Sequence, residues 1–258
     1  MPTAAAHQPQ VVFITGASAG FGAAMARRFV ASGSRVVLAG RRGDRLAALA
    51  TALGEATLPL TLDVTDRAAV ESAVASLPAD FAAVDLLINN AGLALGLEPA
   101  QRASLDDWQR MIDTNVKGLV TVTHALLPGL VARGRGHIVN IGSTAGEWPY
   151  PGGNVYGATK AFVHQFSMNL RADLLGTPIR VSNIEPGLCG GTEFSEVRFH
   201  GDAAKAAKVY ENTVPLSADD IAETVHWVTT LPAHVNINNL QLMPVCQANG
   251  PLAVHRAG

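Results

Sequence analysis

The fold of this chain is decided by residues 11–22, VVFITGASAGFG. Its first five residues are apolar or β-branched and predict a buried strand, and the three glycines after them predict a sharp turn into a helix that begins near Gly20. Glycines at such a turn let the backbone approach a pyrophosphate, whose charge the helix N-terminus stabilises. The stretch therefore predicts the phosphate-binding turn of a dinucleotide fold, although its GxxxGxG spacing departs from GxGxxG.

The same stretch permits a second interpretation. Gly16, Ser18 and Gly20 match the GxSxG pattern of a serine hydrolase, in which Ser18 would be the nucleophile. That pattern normally lies after a central strand and needs an upstream oxyanion loop, whereas Ser18 follows the first strand and no such loop precedes it. The hydrolase remains an alternative to be tested against the geometry.

Short apolar runs recur along the chain between amphipathic segments. Serines with an acid three residues later, Ser104 with Asp107 and Ser217 with Asp220, predict capping boxes at two helix starts. Strands that alternate with helices predict right-handed crossovers and a parallel sheet. We therefore expect an α/β, Rossmann-like doubly wound domain with helices on both faces of seven strands: Val11–Thr15, Arg35–Ala39, Leu58–Leu62, Val84–Ile88, His137–Ile141, Ile179–Asn183 and Leu240–Met243.

The domain is expected to span residues 11–258, after a flexible leader of residues 1–10. It would include a substrate loop at about residues 188–213 and a C-terminal tail at about residues 244–258. The two long helices predicted at Ser104–Arg133 and Val155–Leu175 could supply apolar interfaces between subunits.

Composition and charge exclude several classes of protein. The chain has 258 residues, 48% of them hydrophobic, and a net charge of −2, which disfavours nucleic acid or an anionic membrane as a partner. The only cysteines, Cys189 and Cys246, have no CxxC spacing, and the histidines have no metal-ligand spacing. We expect a cytoplasmic protein without a metal, acting on a small molecule.

The second strand ends in Arg41 and Arg42, about twenty residues after the glycine turn. An NAD enzyme usually places an acid there for the adenosine ribose. Two guanidinium groups instead favour a 2′-phosphate, so the pair predicts NADP as the cofactor. The alternative is a solvated helix start in which these arginines pair with Asp44.

Two further strand ends carry polar residues. Asp63 and Val64 follow the third strand, where the carboxylate could accept from an adenine amino group or simply cap the next helix. The fourth strand leads into Asn89-Asn90-Ala91-Gly92, which could line the cofactor or be a turn whose amides bond the backbone. In a parallel sheet both ends lie at the ligand-binding edge.

The residues that could carry chemistry are Ser143, Tyr156 and Lys160. Spacing of four residues on a helix puts Tyr156 and Lys160 on one face. A neighbouring cation favours the phenolate over the phenol, which would make Tyr156 a usable base near neutral pH. Ser143, just after the fifth strand, could donate to the substrate oxygen. An isolated YxxxK is a common pattern, so the prediction depends on its position.

Taken together, these motifs resemble the short-chain dehydrogenases/reductases over essentially the whole chain. The residues that carry the resemblance are Thr15–Gly22, Asn89–Gly92, Asn115, Ser143, Tyr156 with Lys160, and Pro186-Gly187. The resemblance implies a catalytic set of Asn115, Ser143, Tyr156 and Lys160, with Asn115 holding a water that links Lys160 to solvent. The cofactor-binding residues that it and the strand ends imply are Gly16, Ala17, Ser18, Ala19, Gly20, Phe21, Arg41, Arg42, Asp63, Val64, Asn90, Ala91, Gly92, Tyr156, Lys160, Pro186, Gly187, Leu188 and Thr192.

Within that family, several stretches resemble NADP-dependent 3-hydroxy acid dehydrogenases that act on serine and L-allo-threonine, among them 153–162 and 190–195. This implies a small hydroxy acid as substrate, with 3-hydroxypropionate and malonic semialdehyde as a further pair, and a homotetramer. Substrate contacts would come from Ser143, Tyr156, Trp148 and Arg198. Arg198 could instead be a surface arginine paired with Glu196 or Asp202. Trp148 and Tyr150 could form a wall of the pocket or serve only as packing anchors.

Other readings remain beside this one. A short-chain reductase of a different ketone or aldehyde would have the same proton-transfer residues, and a noncatalytic NADP-binding sensor could use the same fold. No role follows from the sequence for Glu185, the residue before Pro186.

Overall fold

The computed structural model describes residues 8–249. Seven parallel strands form one sheet in the order β3-β2-β1-β4-β5-β6-β7. The strands are β1 (Val11–Thr15), β2 (Arg35–Gly40), β3 (Thr57–Thr61), β4 (Leu86–Asn89), β5 (Gly136–Ile141), β6 (Ile179–Pro186) and β7 (Asn239–Leu242). The predicted doubly wound Rossmann-like fold is confirmed.

Ten α-helices occur in the part of the chain that the structure describes. They are α1 (Gly20–Ala31), α2 (Gly43–Leu53), α3 (Arg67–Ala75), α4 (Ala79–Ala82), α5 (Leu105–Ile112), α6 (Leu119–Arg133), α7 (Asn154–Asp173), α8 (Phe194–Arg198), α9 (Ala203–Lys208) and α10 (Ala218–Thr230). Over residues 8–249, no helix is both long and apolar enough to cross a membrane.

Alternation along β1 explains how the sheet divides the core. Val12 and Ile14 face one cluster, which includes Phe29 of α1, whereas Val11 and Phe13 face a second cluster with Leu130 of α6. Successive strand residues point to opposite faces, so a run that is apolar throughout must be covered on both sides. The apolar run read from the sequence is therefore a central strand, buried on both faces.

The predicted helix Ser104–Arg133 forms as one uninterrupted helical segment from Leu105 to Arg133, but it is not α-helical throughout. A π-helical turn at Asp113–Gly118 separates α5 from α6. Such a turn adds a residue to the helix and is common at functional sites, and here it contains Asn115. Uniform helical periodicity in the sequence gave no sign of it.

One of the two predicted capping boxes is complete. At α10, the Ser217 hydroxyl accepts from Asp220 N at 3.1 Å and the Asp220 carboxylate accepts from Ser217 N at 2.8 Å. At α5, Ser104 accepts from Asp107 N, but the reciprocal bond is absent and the prediction of a full box was wrong. The Asp107 carboxylate instead contacts His200 Nε2 at 3.1 Å, because the substrate loop passes beside it.

The two ends of the described chain pack onto the domain. Of the predicted leader, Gln8 donates to Ser32 O and Gln10 N donates to the buried Asp85 carboxylate. Residues 1–7 of that leader lie outside the described residues, as do residues 250–258 of the predicted tail. From the described part of the tail, Gln247 accepts a hydrogen bond from Leu188 N at 2.6 Å.

Arg180 of β6 joins the sheet to the C-terminal end of α10. Its side chain is 5% exposed and donates to the carbonyls of Val228, Thr229, Leu231 and Val235, with the shortest bond, 2.7 Å, to Thr229. A cation at this position also stabilises the negative end of the helix dipole. Arg180 therefore satisfies carbonyls that α10 cannot pair within itself.

Replacing Arg180 with methionine is expected to lower the free energy of unfolding by about 3 kcal/mol, because several buried carbonyls lose their donor. Urea unfolding followed by circular dichroism would measure it. Arg27→Met, at an exposed position of α1, is the matched control and should change stability by less than about 0.5 kcal/mol. Equal effects for the two variants would contradict the role given to Arg180.

Candidate active site

A cleft of about 670 Å³ lies at the carboxyl end of the sheet, where β1 and β4 diverge. Helices follow β1 and β4 on opposite faces of a doubly wound sheet, so a crevice forms at this point of the strand order. The strand ends singled out in the sequence contribute to its lining, including Gly16, Arg41, Asp63 and Asn90. Its volume is suited to a ligand of cofactor or drug size.

The glycine turn is packed so closely that two of its glycines cannot carry a side chain. A Cβ on Gly16, whose φ is +68°, would lie 2.9 Å from Asn90 Nδ2, and a Cβ on Gly22 would clash with Gly16 O. Helix α1 starts directly behind the turn, with no side chain capping it and no acid in its first turn. Its N-terminal N–H groups are thus suited to an anionic ligand.

Asn90 ties the glycine turn to the end of β4. Its amide donates to Thr15 O at 2.9 Å and to Gly16 O, while Thr15 Oγ1 accepts from the N–H groups of Asn90 and Ala91. The amide therefore does bond backbone, as the simple-turn alternative required, and the backbone it holds is that of the phosphate-binding turn. Gly92 continues toward the reaction centre, since a Cβ there would lie 3.6 Å from Lys160 Nζ.

Arg42 does not pair with Asp44, as the alternative interpretation suggested. Its Nε and Nη2 donate to Ser18 Oγ at 3.1 and 3.0 Å, and its Nη1 contacts Glu193 at 2.6 Å. The Ser18 hydroxyl thus faces a guanidinium, which cannot act as a general base. This contact disfavours the hydrolase and places Ser18 and Arg42 together in the lining of the cleft.

Asp63 does not cap α3, because Asp66 does. The Asp63 carboxylate accepts from Thr65 N and Thr65 Oγ1. Burial by itself would raise the pKa of Asp63, but these two hydrogen bonds and the charge of Arg41 together lower it. An ionised acceptor therefore lies beside Arg41 at the mouth of the cleft.

Ser143, Tyr156 and Lys160 come together as the sequence predicted. Ser143 follows β5 and lies close enough to the Tyr156 phenol to lower its pKa through hydrogen bonding, while its hydroxyl accepts from Ala145 N at 3.1 Å. Lys160 lies one turn along α7, with its ammonium 5.9 Å from the centroid of the Tyr156 ring and donating to Ile141 O at 2.7 Å. All three residues line the cleft.

The electrostatics of Tyr156 differ from the sequence expectation. Burial raises the pKa of Tyr156 to about 12, and the opposing influences are the Ser143 hydrogen bond and the positive charge of Arg198. Lys160, expected to favour the phenolate, has its own pKa lowered by burial to about 8. The charge that acts on this phenol is thus Arg198, which the sequence did not connect with it.

Asn115 holds the loop after β4 against α7. Its Oδ1 accepts from Leu93 N at 2.8 Å, and its Nδ2 donates to Leu93 O and to Thr159 Oγ1. The side chain is therefore fully engaged, next to Lys160 on the far side of Gly92.

Arg198 points into the cleft and is not paired with Glu196 or Asp202. Its guanidinium lies 5.2 Å from the centroid of the Tyr156 ring, and Nη2 donates to Tyr150 Oη at 2.6 Å. In the described residues its buried Nε has no hydrogen-bond partner. A cation stacked on aromatic rings with an unused donor is suited to an anionic ligand.

Trp148 lies at the edge of the same pocket. Its indole N–H donates to Gln241 Oε1 at 3.2 Å, and its ring lines the cleft at 36% exposure. Phe194 covers Tyr156 from the substrate loop, with the ring centroids 5.9 Å apart. The contact that Gln247 of the tail makes with Leu188 was not predicted, because it comes from a segment distant in sequence.

Glu185, for which no role follows from the sequence, links elements of the fold. It is fully buried and accepts from Asn183, Asn239 and Gln241, with His164 Nδ1 at 2.7 Å. Its carboxylate thus joins β6 to β7 and α7 behind the reaction centre.

Comparison with known proteins agrees with this geometry. A family model described as short chain dehydrogenase matches residues 10–202. The chain is 63% identical, over 96% of its length and all of the relative's, to NADP-dependent 3-hydroxy acid dehydrogenase YdfG of Salmonella typhi. It is 51% identical to serine 3-dehydrogenase of Agrobacterium fabrum, over 95% and 98% of the two chains.

Solved structures agree as well. The closed form of a serine dehydrogenase complexed with NADP⁺ superposes with a TM-score of 0.95 at 60% identity, covering 96% of this chain and all of the other.

Proposed function

This chain belongs to the short-chain dehydrogenase family, and from that premise we propose that it is an NADP-dependent oxidoreductase of small 3-hydroxy acids. It would transfer a hydride between the nicotinamide and the 3-hydroxyl carbon of substrates such as serine, L-allo-threonine or 3-hydroxypropionate. The observation that carries this proposal is the stacking of Arg198 over Tyr156, which sets a cation beside the proton-transfer residue. A substrate with both a carboxylate and a hydroxyl group matches that pair.

The cofactor would occupy the cleft from the glycine turn to the reaction centre. The pyrophosphate would lie on the turn from Gly16 to Phe21, where the N-terminus of α1 has no side-chain cap. Arg41, Arg42 and Ser18 would hold the 2′-phosphate, and Asp63 and Val64 the adenine. The nicotinamide half would lie along the lining formed by Asn90, Ala91, Gly92, Tyr156, Lys160, Pro186, Gly187, Leu188 and Thr192. When bound, NADP⁺ accepts the hydride.

Tyr156 would move the proton at its phenolic oxygen. In carbinol oxidation the phenolate takes the hydroxyl proton, and in carbonyl reduction the phenol returns it. Ser143 would donate to the oxygen on which negative charge develops, which stabilises the transition state more than the ground state. Lys160 would contact the nicotinamide ribose, while Asn115 keeps the loop after β4 in place and supports a water path.

Arg198 would bind the substrate carboxylate. Its buried Nε has no partner in the described residues, and Nη2 donates to Tyr150, so the guanidinium plane is fixed before a ligand arrives. Preorganised donors of this kind lower the cost of ordering the site. Trp148 would form one wall of the pocket.

The test is NADPH formation at 340 nm with L-serine, L-allo-threonine and 3-hydroxypropionate, compared with 1,3-propanediol, which lacks a carboxylate. We expect Arg198→Met to raise KM for the acids about tenfold or more, because a charge-assisted hydrogen bond is lost. The rise of the oxidation rate with pH should also move to higher pH, because the variant lacks a positive charge that lowers the pKa of Tyr156. Equal losses for the diol and the acids would contradict the carboxylate assignment.

Two alternatives are separated by the same assay. A reductase of another ketone or aldehyde would turn over those compounds and leave the hydroxy acids untouched. A noncatalytic sensor would bind NADP, measured by calorimetry, without turning over any alcohol.

We also propose that the chain is a homotetramer in the cytoplasm, with residues 11–258 forming one domain. The tetramer is supported by apolar side chains that α5 and α7 expose: Leu105, Phe162 and Met168 are 63%, 38% and 50% exposed. The cytoplasmic location is supported by the two cysteines, which are free thiols. Sedimentation equilibrium that returned the mass of a single chain would exclude the tetramer.

A further inference from the structure

The substrate loop, residues 188–213, crosses the mouth of the cleft from a fixed base. At the base, Gly190 N donates to Leu216 O at 2.9 Å and Leu216 N donates to Leu188 O at 3.0 Å. Beyond it the loop folds into the short helices α8 and α9. The position of the loop over the cleft therefore depends on contacts that its residues make beyond this base.

Glu193 makes the contact on the adenosine side. One carboxylate oxygen lies 2.6 Å from Arg42 Nη1 and the other lies 2.5 Å from Arg45 Nη1. The hydrogen bond from Arg45 and then that from Arg42 lower the pKa of Glu193, so the carboxylate is ionised at neutral pH. Glu193 thereby joins the substrate loop to residues about 150 positions earlier in the chain.

The residues before and after Glu193 in the chain contact the lining of the cleft. Thr192 lies against the glycine turn, because a Cβ on Gly20 would be 3.4 Å from Thr192 Cβ. Phe194 lies edge-on to the Tyr156 ring, and Arg198 stacks on that ring four residues farther along. A displacement of Glu193 would therefore move the cover of the glycine turn and the proposed carboxylate ligand together.

Arg42 serves two partners with different parts of its guanidinium group. Nε and Nη2 face Ser18 in the glycine turn, and Nη1 faces Glu193. Arg45 Nη1, by contrast, contacts Glu193 at 2.5 Å and adds a second attachment that does not involve Ser18. Exposed single ion pairs contribute little, but a carboxylate shared by two guanidinium groups forms a network with fixed geometry.

We propose that Glu193 is a positioning residue that holds the substrate loop closed over the cofactor cleft by pairing with Arg42 and Arg45. This inference rests on the proposed function, since the loop carries the proposed carboxylate ligand Arg198. Closing a loop over a bound cofactor excludes water and fixes groups that contact the substrate. The ion pairs of Glu193 with Arg42 and Arg45 therefore affect the KM for the hydroxy acid more than they affect the affinity for NADP.

The kinetic test compares Glu193→Gln with Glu196→Gln, an equal loss of charge at an exposed position of the same loop. We expect Glu193→Gln to raise KM for the hydroxy acid about tenfold, with kcat and the NADP Kd changed less than about threefold. Glu193→Asp, which keeps the charge, should recover part of the loss. Glu196→Gln should match the parent protein.

A second readout does not depend on activity. Trypsin, in the presence of saturating NADP, should cleave Glu193→Gln after Arg198, Lys205 or Lys208 about tenfold faster than the parent, as measured by mass spectrometry, because an open loop exposes these bonds. Arg45→Met should produce a similar increase, and the double variant Arg45→Met with Glu193→Gln should add little to either. Such non-additivity is the signature of a shared contact.

Two results would contradict the proposal that Glu193 holds the loop closed. Loop cleavage equal to that of the parent would show that the ion pairs do not hold the loop. Tighter NADP binding in Glu193→Gln, with unchanged cleavage, would show that the carboxylate competes with the 2′-phosphate for Arg42. If the protein oxidised no hydroxy acid at all, the cleavage rates would still decide the question of closure, so failure of the proposed function would be recognised separately.

Discussion

Replacing Tyr156 with phenylalanine is expected to lower kcat for hydroxy acid oxidation by about a thousandfold or more, because general acid–base catalysis contributes about 10²–10⁴-fold. The variant keeps the ring that packs against Phe194 and loses only the phenolic oxygen that hydrogen bonds to Ser143. Its NADP Kd, measured by titration calorimetry, should therefore change little. Stopped-flow measurement of a single turnover would show whether the loss lies in the chemical step.

Tyr210→Phe is the matched control for that experiment. It removes a phenol that hydrogen bonds to Ser195 in the substrate loop at 2.6 Å. The loss of one such bond corresponds to about 1 kcal/mol, or about a fivefold change. A similar fall in kcat for both tyrosine variants would mean that the phenol of Tyr156 supports structure and transfers no proton.

The pH dependence of the oxidation rate should differ from that of the reduction rate. Oxidation needs the phenolate, and burial holds the pKa of Tyr156 at about 12 in the protein, so its rate should increase from neutral into alkaline pH. Reduction needs the phenol and should not increase over this range. The pKa of Lys160 is lowered to about 8 by burial, so its positive charge is lost above that pH and any contact that needs the ammonium weakens there.

Replacing both Arg41 and Arg42 with alanine is expected to weaken NADP binding by about a hundredfold or more, because hydrogen bonds between charged groups contribute about 1.5–3 kcal/mol each. NAD lacks the 2′-phosphate, so its Kd should change by less than about threefold in the same variant. Calorimetric titration with both cofactors gives the ratio directly.

Arg35→Ala is the control for the arginine pair, since Arg35 begins β2 and is exposed at the opposite end of the same strand. Its discrimination between the cofactors should equal that of the parent. An unchanged NADP/NAD ratio in the double variant would remove the 2′-phosphate assignment. Since Arg42 also contacts Glu193, Arg41→Ala alone would separate phosphate binding from closure of the substrate loop.

Much of the fold could be predicted because its signals are local. A strand buried on both faces must be apolar throughout, as β1 is, and the crossover rule then orders the layers around it. The π-helical turn at Asp113–Gly118 could not be predicted, because such a turn adds one residue without changing the apolar character of the segment. Strand ends also differed by one to three residues, as β6 extends to Pro186.

By itself, the sequence determined the residues whose chemistry depends on position along one element: the glycine turn before α1, the spacing of Tyr156 and Lys160 on α7, and the arginines that end β2. Backbone geometry sets these distances, so a four-residue spacing in a helix has one spatial meaning. What the tertiary structure decided were the contacts between distant segments. Arg198 acts on the phenol of Tyr156, and Glu193 reaches Arg42 and Arg45, because the substrate loop folds back over the cleft. Electrostatic interactions depend on distance and burial, and neither is defined until the chain has folded.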